Sequence, residues 1–205
     1  MSALIKRLGR VAYTPTWTAM RDFVAARTPD QADEIWLLEH PPVYTLGLAG
    51  KREHILDAGS IPVVHSDRGG QVTYHGPGQL IAYVLLDLKR LGLGPRELVR
   101  RLEAAILETL AGYGIQAQRR AGAPGVYVDD AKVAALGLRL RNGISYHGLA
   151  LNVALDLEPF ARINPCGYAG LAVTSLAQLG VTVSRVDVET ALVAALQKSL
   201  YAADA

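Results

Sequence analysis

Residues 125–155 read GVYVDDAKVAALGLRLRNGISYHGLALNVAL, and this stretch decides the fold. Asn142-Gly143 separates two runs rich in alternating apolar residues. A type I′ turn needs positive φ at both central residues, and Asn-Gly supplies it, so the pair predicts a tight hairpin. Asp129-Asp130 marks a second turn, and the whole stretch reads as an antiparallel meander. With the Asn-Gly turn setting the register, Gly137 faces Gly148 and Ala135 faces Ala150. Side chains alternate along a strand, so these four small residues share one face. Such a row leaves a trough for a hydrocarbon chain, or room for another element to pack closely, which is the commoner use of strand glycine.

Strands and helices continue outward from the meander. Glu34–Glu39 and the run LIAYVLLDL at 80–88 read as buried strands, with a short strand at 61–66. HPPVYTLG at 40–47 forbids helix at Pro41-Pro42 and leads into an extended segment. A helix follows Thr14-Pro15, with Thr14 as its cap and Trp17, Met20 and Val24 at helical spacing; it stops near Thr28-Pro29. Gly94-Pro95 opens a second helix whose stripe is Val99, Leu102, Ile106, Leu110 and Tyr113. A last helix runs from Asp187, its cap, with Val188, Leu192, Leu196 and Leu200 on one face. These elements predict an α+β fold in one domain spanning 1–205, a mixed sheet with helices packed on it.

The chain has 205 residues, of which 50% are hydrophobic and 20% charged. Its formal net charge of +2 is too small to suggest a nucleic-acid surface. The N-terminal segment carries charges where a signal peptide has its apolar region, and the longest apolar run, 80–86, is too short to span a bilayer. A cytoplasmic monomer is expected, without membrane association. The single cysteine excludes an intrachain disulfide. The five histidines show no metal-ligand spacing, so no metal is expected.

Cys166 lies in INPCGYAG, between proline and glycine, which places it on an irregular turn. Catalytic groups concentrate on such turns, and glycine beside a nucleophile lets backbone N–H groups approach an oxyanion. A packed, unreactive thiol is the other reading. Lys132 sits among apolar and tiny residues; desolvation there disfavours the ammonium form and suits it to take a thiol proton. A snorkelling edge lysine is the alternative. Strict alternation puts Lys132 on the face opposite the trough, so a bulge or strand end must re-aim it. RGGQVTYHGPGQL at 68–80 reads as a glycine-rich loop without a Walker or dinucleotide pattern. Arg68 and His75 in it are placed to meet a polar head group. His147 reads as a hydrogen-bonded strand residue.

EHPPVYTLG at 39–47, the 68–80 loop, residues 125–153, INPCGYAG and the TSL ending at 176 together resemble the octanoyltransferases of lipoate biosynthesis, relatives of biotin and lipoate protein ligases. The resemblance spans most of the chain and implies the catalytic-domain fold of those ligases. It implies transfer of an octanoyl group, without a cofactor, from octanoyl-acyl-carrier-protein through a Cys166 thioester to a lysine. The implied acceptors are lipoyl domains of 2-oxoacid dehydrogenase complexes and the glycine cleavage H protein. By the same resemblance Lys132 lowers the Cys166 pKa. Arg68, Gly69, Gly70 and Gln71, continuing through Val72, Thr73, Tyr74 and His75, form the main substrate-binding segment. Ala135, Leu136 and Gly137 form a second, and Gly148, Leu149 and Ala150 a third. The rivals are an ATP-dependent lipoate or biotin ligase and a non-catalytic protein that binds an acyl carrier or a lipoyl domain.

Overall fold

The computed structural model describes residues 2–201, and Cys166 by its backbone alone. Seven strands form the main sheet: β1 (Leu4–Arg10), β2 (Glu34–Glu39), β6 (Gln79–Leu85), β10 (Ile144–Asn152), β9 (Ala131–Arg141), β8 (Val126–Val128) and β7 (Gln118–Arg119), in that spatial order. β1 and β2 are parallel and the other neighbours antiparallel. A smaller sheet has β3 (Val43–Leu46) between β4 (Val63–His65) and β5 (Val72–His75).

Alternation along the central strands builds two cores. Ile35, Leu37, Leu80, Val84, Leu149 and Leu151 face the helices α3 (Pro95–Ala111) and α5 (Arg185–Tyr201). Trp36, Leu38, Ile81, Tyr83, Tyr146 and Ala150 face the other way, where Met20 and Val24 of α1 (Tyr13–Ala26) cover part of the sheet. β2, β6 and β10 are therefore buried on both sides, as their near-continuous apolar runs require. A third cluster, including Tyr44, Tyr74 and Phe160, underlies the small sheet. The α+β class and the mixed sheet flanked by helices are as the sequence indicates.

Several details differ from the sequence reading. β1 is an edge strand whose Lys6, Arg7 and Arg10 hide its pattern, since charges on an edge also discourage pairing with other chains. The 68–80 segment is not loop throughout, because Val72–His75 pairs with β3. α1 begins one residue before Thr14, with Ala12 at its cap position and no side-chain cap. α5 begins at Arg185, and Ser184 Oγ rather than Asp187 accepts the orphan amide, from Asp187 N–H at 3.2 Å. β6 ends at Leu85, and Asp87 instead caps a short helix α2 (Leu88–Leu91) with bonds from the Lys89 and Arg90 amides. A further short helix, α4 (Glu158–Ala161), follows β10.

The Asn142-Gly143 hairpin forms as expected. Both residues have positive φ, +55° and +86°, and the register pairs Gly137 with Gly148 and Ala135 with Ala150. Gly143→Ala is expected to lower stability by about 1–2 kcal/mol, the cost of placing an L side chain in the left-handed region. Thermal unfolding should show a melting point lower by a few degrees; an unchanged one would mean that the turn relaxes to another type.

Candidate active site

The hairpin and the small sheet enclose a cleft. Ala135, Gly137, Gly148 and Ala150 form one wall with Ile81 and Tyr83 beside them. Arg68, Gly70, Gln71, Val72, Thr73 and His75 form the other. Leu136 and Leu149 also reach it, and Tyr13 of α1 closes one side. Three separate sequence segments thus meet in one place. Tyr74 does not join them: strand alternation sends its ring into the opposite cluster, against Tyr44 and Phe160. Gly69 lies at the rim, where its N–H donates to Leu138 O at 2.9 Å and clamps the loop to the open edge of β9.

The two glycines have more specific uses than an empty trough. A Cβ on Gly148 would stand 2.0 Å from Ala82 O, so its absence lets β6 approach. A Cβ on Gly137 would meet Gly69 O at 3.1 Å and Arg68 Cδ at 3.3 Å, so its absence admits the loop. Ala135 and Ala150 supply the low wall. Arg68 is buried, and its guanidinium donates to Thr45 Oγ1 and to the carbonyls of Thr45, Gly69 and Gln71 at 2.6–3.0 Å. These bonds hold the loop's shape.

Lys132 reaches the site through a bulge. Val126 pairs with Ala134 while Tyr127 pairs with Lys132, so Val133 is one residue too many on β9. Val133 and Ala134 both enter the helix-side core, and Lys132 turns to the face of Ala135 and Gly137. The difficulty raised by strict alternation is resolved in that way. Lys132 is 5% exposed; its Nζ donates to Pro124 O at 3.2 Å and lies 5.2 Å from the Tyr127 ring centroid. Gly125 makes room for it, since a Cβ there would be 3.1 Å from Lys132 Cε.

The expected nucleophile, Cys166, has its side chain outside the described residues. Its backbone lies in the 3-10 turn Pro165–Gly167. The turn sits against the loop, for a Cβ on Gly167 would lie 3.4 Å from Gln71 Cγ. Downstream, the chain is laced to the lysine: Lys132 N–H donates to Ala172 O at 2.8 Å, and Thr174 N–H donates to Lys132 O at 3.0 Å. The N–H groups of Gly167 and Tyr168, candidates for an oxyanion site, instead bond Asn164 O and Pro165 O within the turn. Gly70, Gln71, Leu136 and Gly137 line both the cleft and an adjoining basin that holds Lys132 and Tyr168, so the two spaces share a wall.

Further polar groups complete the site: His147 is hydrogen-bonded, as the sequence suggests, while Asp67, His40 and His54 are not singled out there. His147 has φ +59°, which turns its ring out of alternation and onto Tyr146, with centroids 5.1 Å apart. Its Nε2 is 2.8 Å from Asp67 Oδ1. Burial would raise the Asp67 pKa, but hydrogen bonds from His147, Tyr146 and Trp17 hold it well below the usual carboxylate range. His40 and His75 pack around Tyr13 and Tyr83, with His40 Nε2 2.7 Å from the Tyr83 hydroxyl and His75 Nδ1 2.7 Å from Gln79 Oε1. His54, beside the cysteine turn, has a buried Nδ1 with no partner among the described residues. No group of three metal-ligating side chains occurs among the described residues, and no helix there is long and apolar enough to cross a membrane.

A family model for the lipoyl protein ligase A/B catalytic domain matches residues 13–197. Proteins named octanoyltransferase from Thiobacillus denitrificans (strain ATCC 25259 / T1) and Azoarcus sp. (strain BH72) are 63% and 66% identical to the chain. The matches cover 98% and 87% of this chain and 92% and 79% of those proteins. A lipoate-protein ligase A structure bound with ATP resembles this one with a TM-score of 0.80 over 98% of this chain and 86% of that one, at 16% identity. Biotin protein ligase from Aquifex aeolicus in complex with biotin and ATP gives 0.58 over 96% and 69%, at 14% identity. At such identities the likeness is one of fold.

The buried histidines give the site a pH signature. Burial depresses the pKa of His40 from 6.5 to about 4 and that of His75, also opposed by His40, from 6.5 to about 3. The folded state therefore binds fewer protons than the unfolded chain between those values. Their stabilising effect is complete above pH 6.5 and is lost as pH falls toward about 4 and about 3. Each histidine adds a slope of about 1.4 kcal/mol per pH unit inside its window. Urea midpoints should fall steadily between about pH 6.5 and about pH 4. A flat profile there would show that the two rings are protonated without unfolding.

Proposed function

The chain belongs to the lipoyl protein ligase A/B catalytic-domain family, and from that membership we propose that it transfers an octanoyl group from octanoyl-acyl-carrier-protein, through a thioester on Cys166, to a lysine of lipoyl domains. The acceptors are the lipoyl domains of 2-oxoacid dehydrogenase complexes and the glycine cleavage H protein. The observation that carries the reading is the bulge at Val133, which turns buried Lys132 toward the cleft while its backbone is bonded to the segment that follows the cysteine turn. The high identity to proteins named octanoyltransferase supports the choice of acyl group.

In the first half-reaction the Cys166 thiolate attacks the donor's carbonyl carbon. The new carbon–sulfur bond forms as the bond to the carrier's phosphopantetheine sulfur breaks. Lys132 takes the Cys166 proton and delivers it to the departing thiolate, as general base and then acid. One thioester replaces another, so the step needs no ATP. In the second half-reaction the acceptor's neutral lysine amine attacks the acyl-enzyme. An amide forms, Cys166 leaves as thiolate, and the amine's surplus proton returns by way of Lys132. The acyl chain lies along Ala135 and Ala150, under the loop held by Arg68.

Incubation with octanoyl-acyl-carrier-protein, without ATP, is expected to raise the intact mass by one octanoyl group. Cys166→Ala should show no gain, and the wild-type adduct should discharge onto an added lipoyl domain. Absence of both adduct and transfer, with ATP/pyrophosphate exchange driven by free octanoate, would instead assign an ATP-dependent ligase. Lys132→Ala is expected to raise the Cys166 thiol pKa and slow acylation by about 100-fold or more. An unchanged rate and an unchanged thiol pKa would remove Lys132 from the mechanism.

A further inference from the structure

Acyl transfer between thioesters passes through a tetrahedral intermediate whose oxygen carries a negative charge. Donors fixed around that oxygen usually supply the largest share of the rate. The amides beside the nucleophile are a common source, but the two that follow Cys166 are spent inside the turn. Gly167 N–H donates to Asn164 O at 2.9 Å and Tyr168 N–H to Pro165 O at 3.1 Å. A neighbouring segment has to supply the donor. Gln71 stands nearest to the turn: a Cβ at Gly167 would lie 3.4 Å from its Cγ and 3.8 Å from its Cδ. His54 Nε2 is 3.5 Å from the same position, but His54 lines neither the cleft nor the Lys132 basin. Gln71 lines both. The reacting carbonyl is joined to the chain in the cleft and to the Cys166 sulfur, within reach of Lys132, so it falls where cleft, basin and turn meet.

The Gln71 amide is held at both ends. Gln71 O accepts Gly47 N–H at 3.3 Å and the Arg68 Nη2 group at 2.7 Å, which pins the backbone. Lys51 N–H donates to Gln71 Oε1 at 2.9 Å. A backbone N–H can meet only an acceptor, so this bond decides which end of the amide is oxygen and turns the NH2 group away from Lys51. A primary amide is neutral and carries two donors whatever the pH of the assay. Anchored in this way, it needs no reorganisation as charge develops on the substrate oxygen.

We propose that Gln71 is a catalytic residue, its Nε2–H donating to the oxyanion of the tetrahedral intermediate in both half-reactions. This role rests on the acyl-transfer reading of Cys166. As the Cys166 sulfur bonds to the carbonyl carbon, the π pair moves onto oxygen and the Gln71 amide meets the new charge. When the pair returns, the pantetheine sulfur leaves; in the second half-reaction the Cys166 sulfur leaves. Gln71 gives up no proton, and proton movement stays with Lys132.

The test compares the wild type with Gln71→Glu, which keeps the side chain's size and an acceptor for Lys51 N–H but exchanges the donor for an anion. Transfer from octanoyl-acyl-carrier-protein to a lipoyl domain is expected to show kcat lower by about 100-fold with the donor's KM little changed, the mark of an interaction made only in the transition state. Heptyl trifluoromethyl ketone, which adds to a thiolate as an oxyanion, should lose affinity for the variant by about the same factor. Octanamide, which forms no oxyanion, should bind both proteins equally. A raised KM with kcat intact, or a kcat and ketone affinity that do not change, overturns the inference and leaves the acyl-transfer reading standing. Failure of the wild type to gain an octanoyl group on Cys166 overturns that reading instead. A second measurement needs no variant and so does not depend on the folding of Gln71→Glu. In wild-type protein carrying isotope-labelled glutamine nitrogen, the Gln71 side-chain amide proton should move downfield when the ketone adduct forms. An unmoved Gln71 amide in the formed adduct overturns the proposal.

Discussion

The register of β9 against β10 is the constraint from which the site follows. Side chains repeat every second residue along a strand, so a slip of one position would carry Ala135 and Ala150 to the helix-covered face and bring larger side chains into the cleft. The Asn142-Gly143 turn prevents that slip, because only a two-residue loop with both φ values positive closes the hairpin in this frame. Core packing reinforces it, since Leu149 and Leu151 face α3 and α5 while Tyr146 and Ala150 face α1. Turn and core agree, and the wall of small residues is the consequence.

On this regular frame, the polar groups arrive by departures from it. The extra residue at Val133 moves Lys132 across the sheet. The left-handed φ of His147 does the same for an imidazole, and sets it beside Tyr146 where alternation would hold them apart. Each departure carries a backbone cost, and each is held by neighbours: two backbone hydrogen bonds at Lys132, and a shared carboxylate, Asp67, at His147 and Tyr146. A sheet that placed every residue by strict alternation would keep the small-residue wall and lose both polar groups from it.

This division explains what could be read from the sequence. The hairpin and its register were legible because Asn-Gly is a local signal with one structural meaning, and the central strands because long apolar runs are unambiguous. β5 was not, as the glycines flanking Val72–His75 are the mark of a loop, and their real use is close packing, Gly69 against Leu138 O of β9 and Gly78 against the Ala154 backbone. β1 was masked by its own lysine and arginines. The aim of Lys132 and of His147 was beyond reach, because a bulge and a single positive φ leave no compositional trace at Val133 or His147. Asp67 stood outside every motif, and only the fold joins it to partners eighty residues away in sequence.

The loop over the cleft also bears on how long an acyl-enzyme would last. A thioester waiting for a second protein must be kept from water, and that favours a lid which is shut before substrate arrives. Arg68 binds three carbonyls of the small sheet and loop, and Gly69 bonds the exposed edge of β9 as an added strand would. Charged donors on buried carbonyls are among the stronger hydrogen bonds, and they leave the loop few alternative shapes. Gly137 is what allows that closure, because any side chain there would press on Gly69 O. The residue that most looks like an opening for substrate is thus equally the seat of the lid, and the space for the chain is supplied by the alanines beside it.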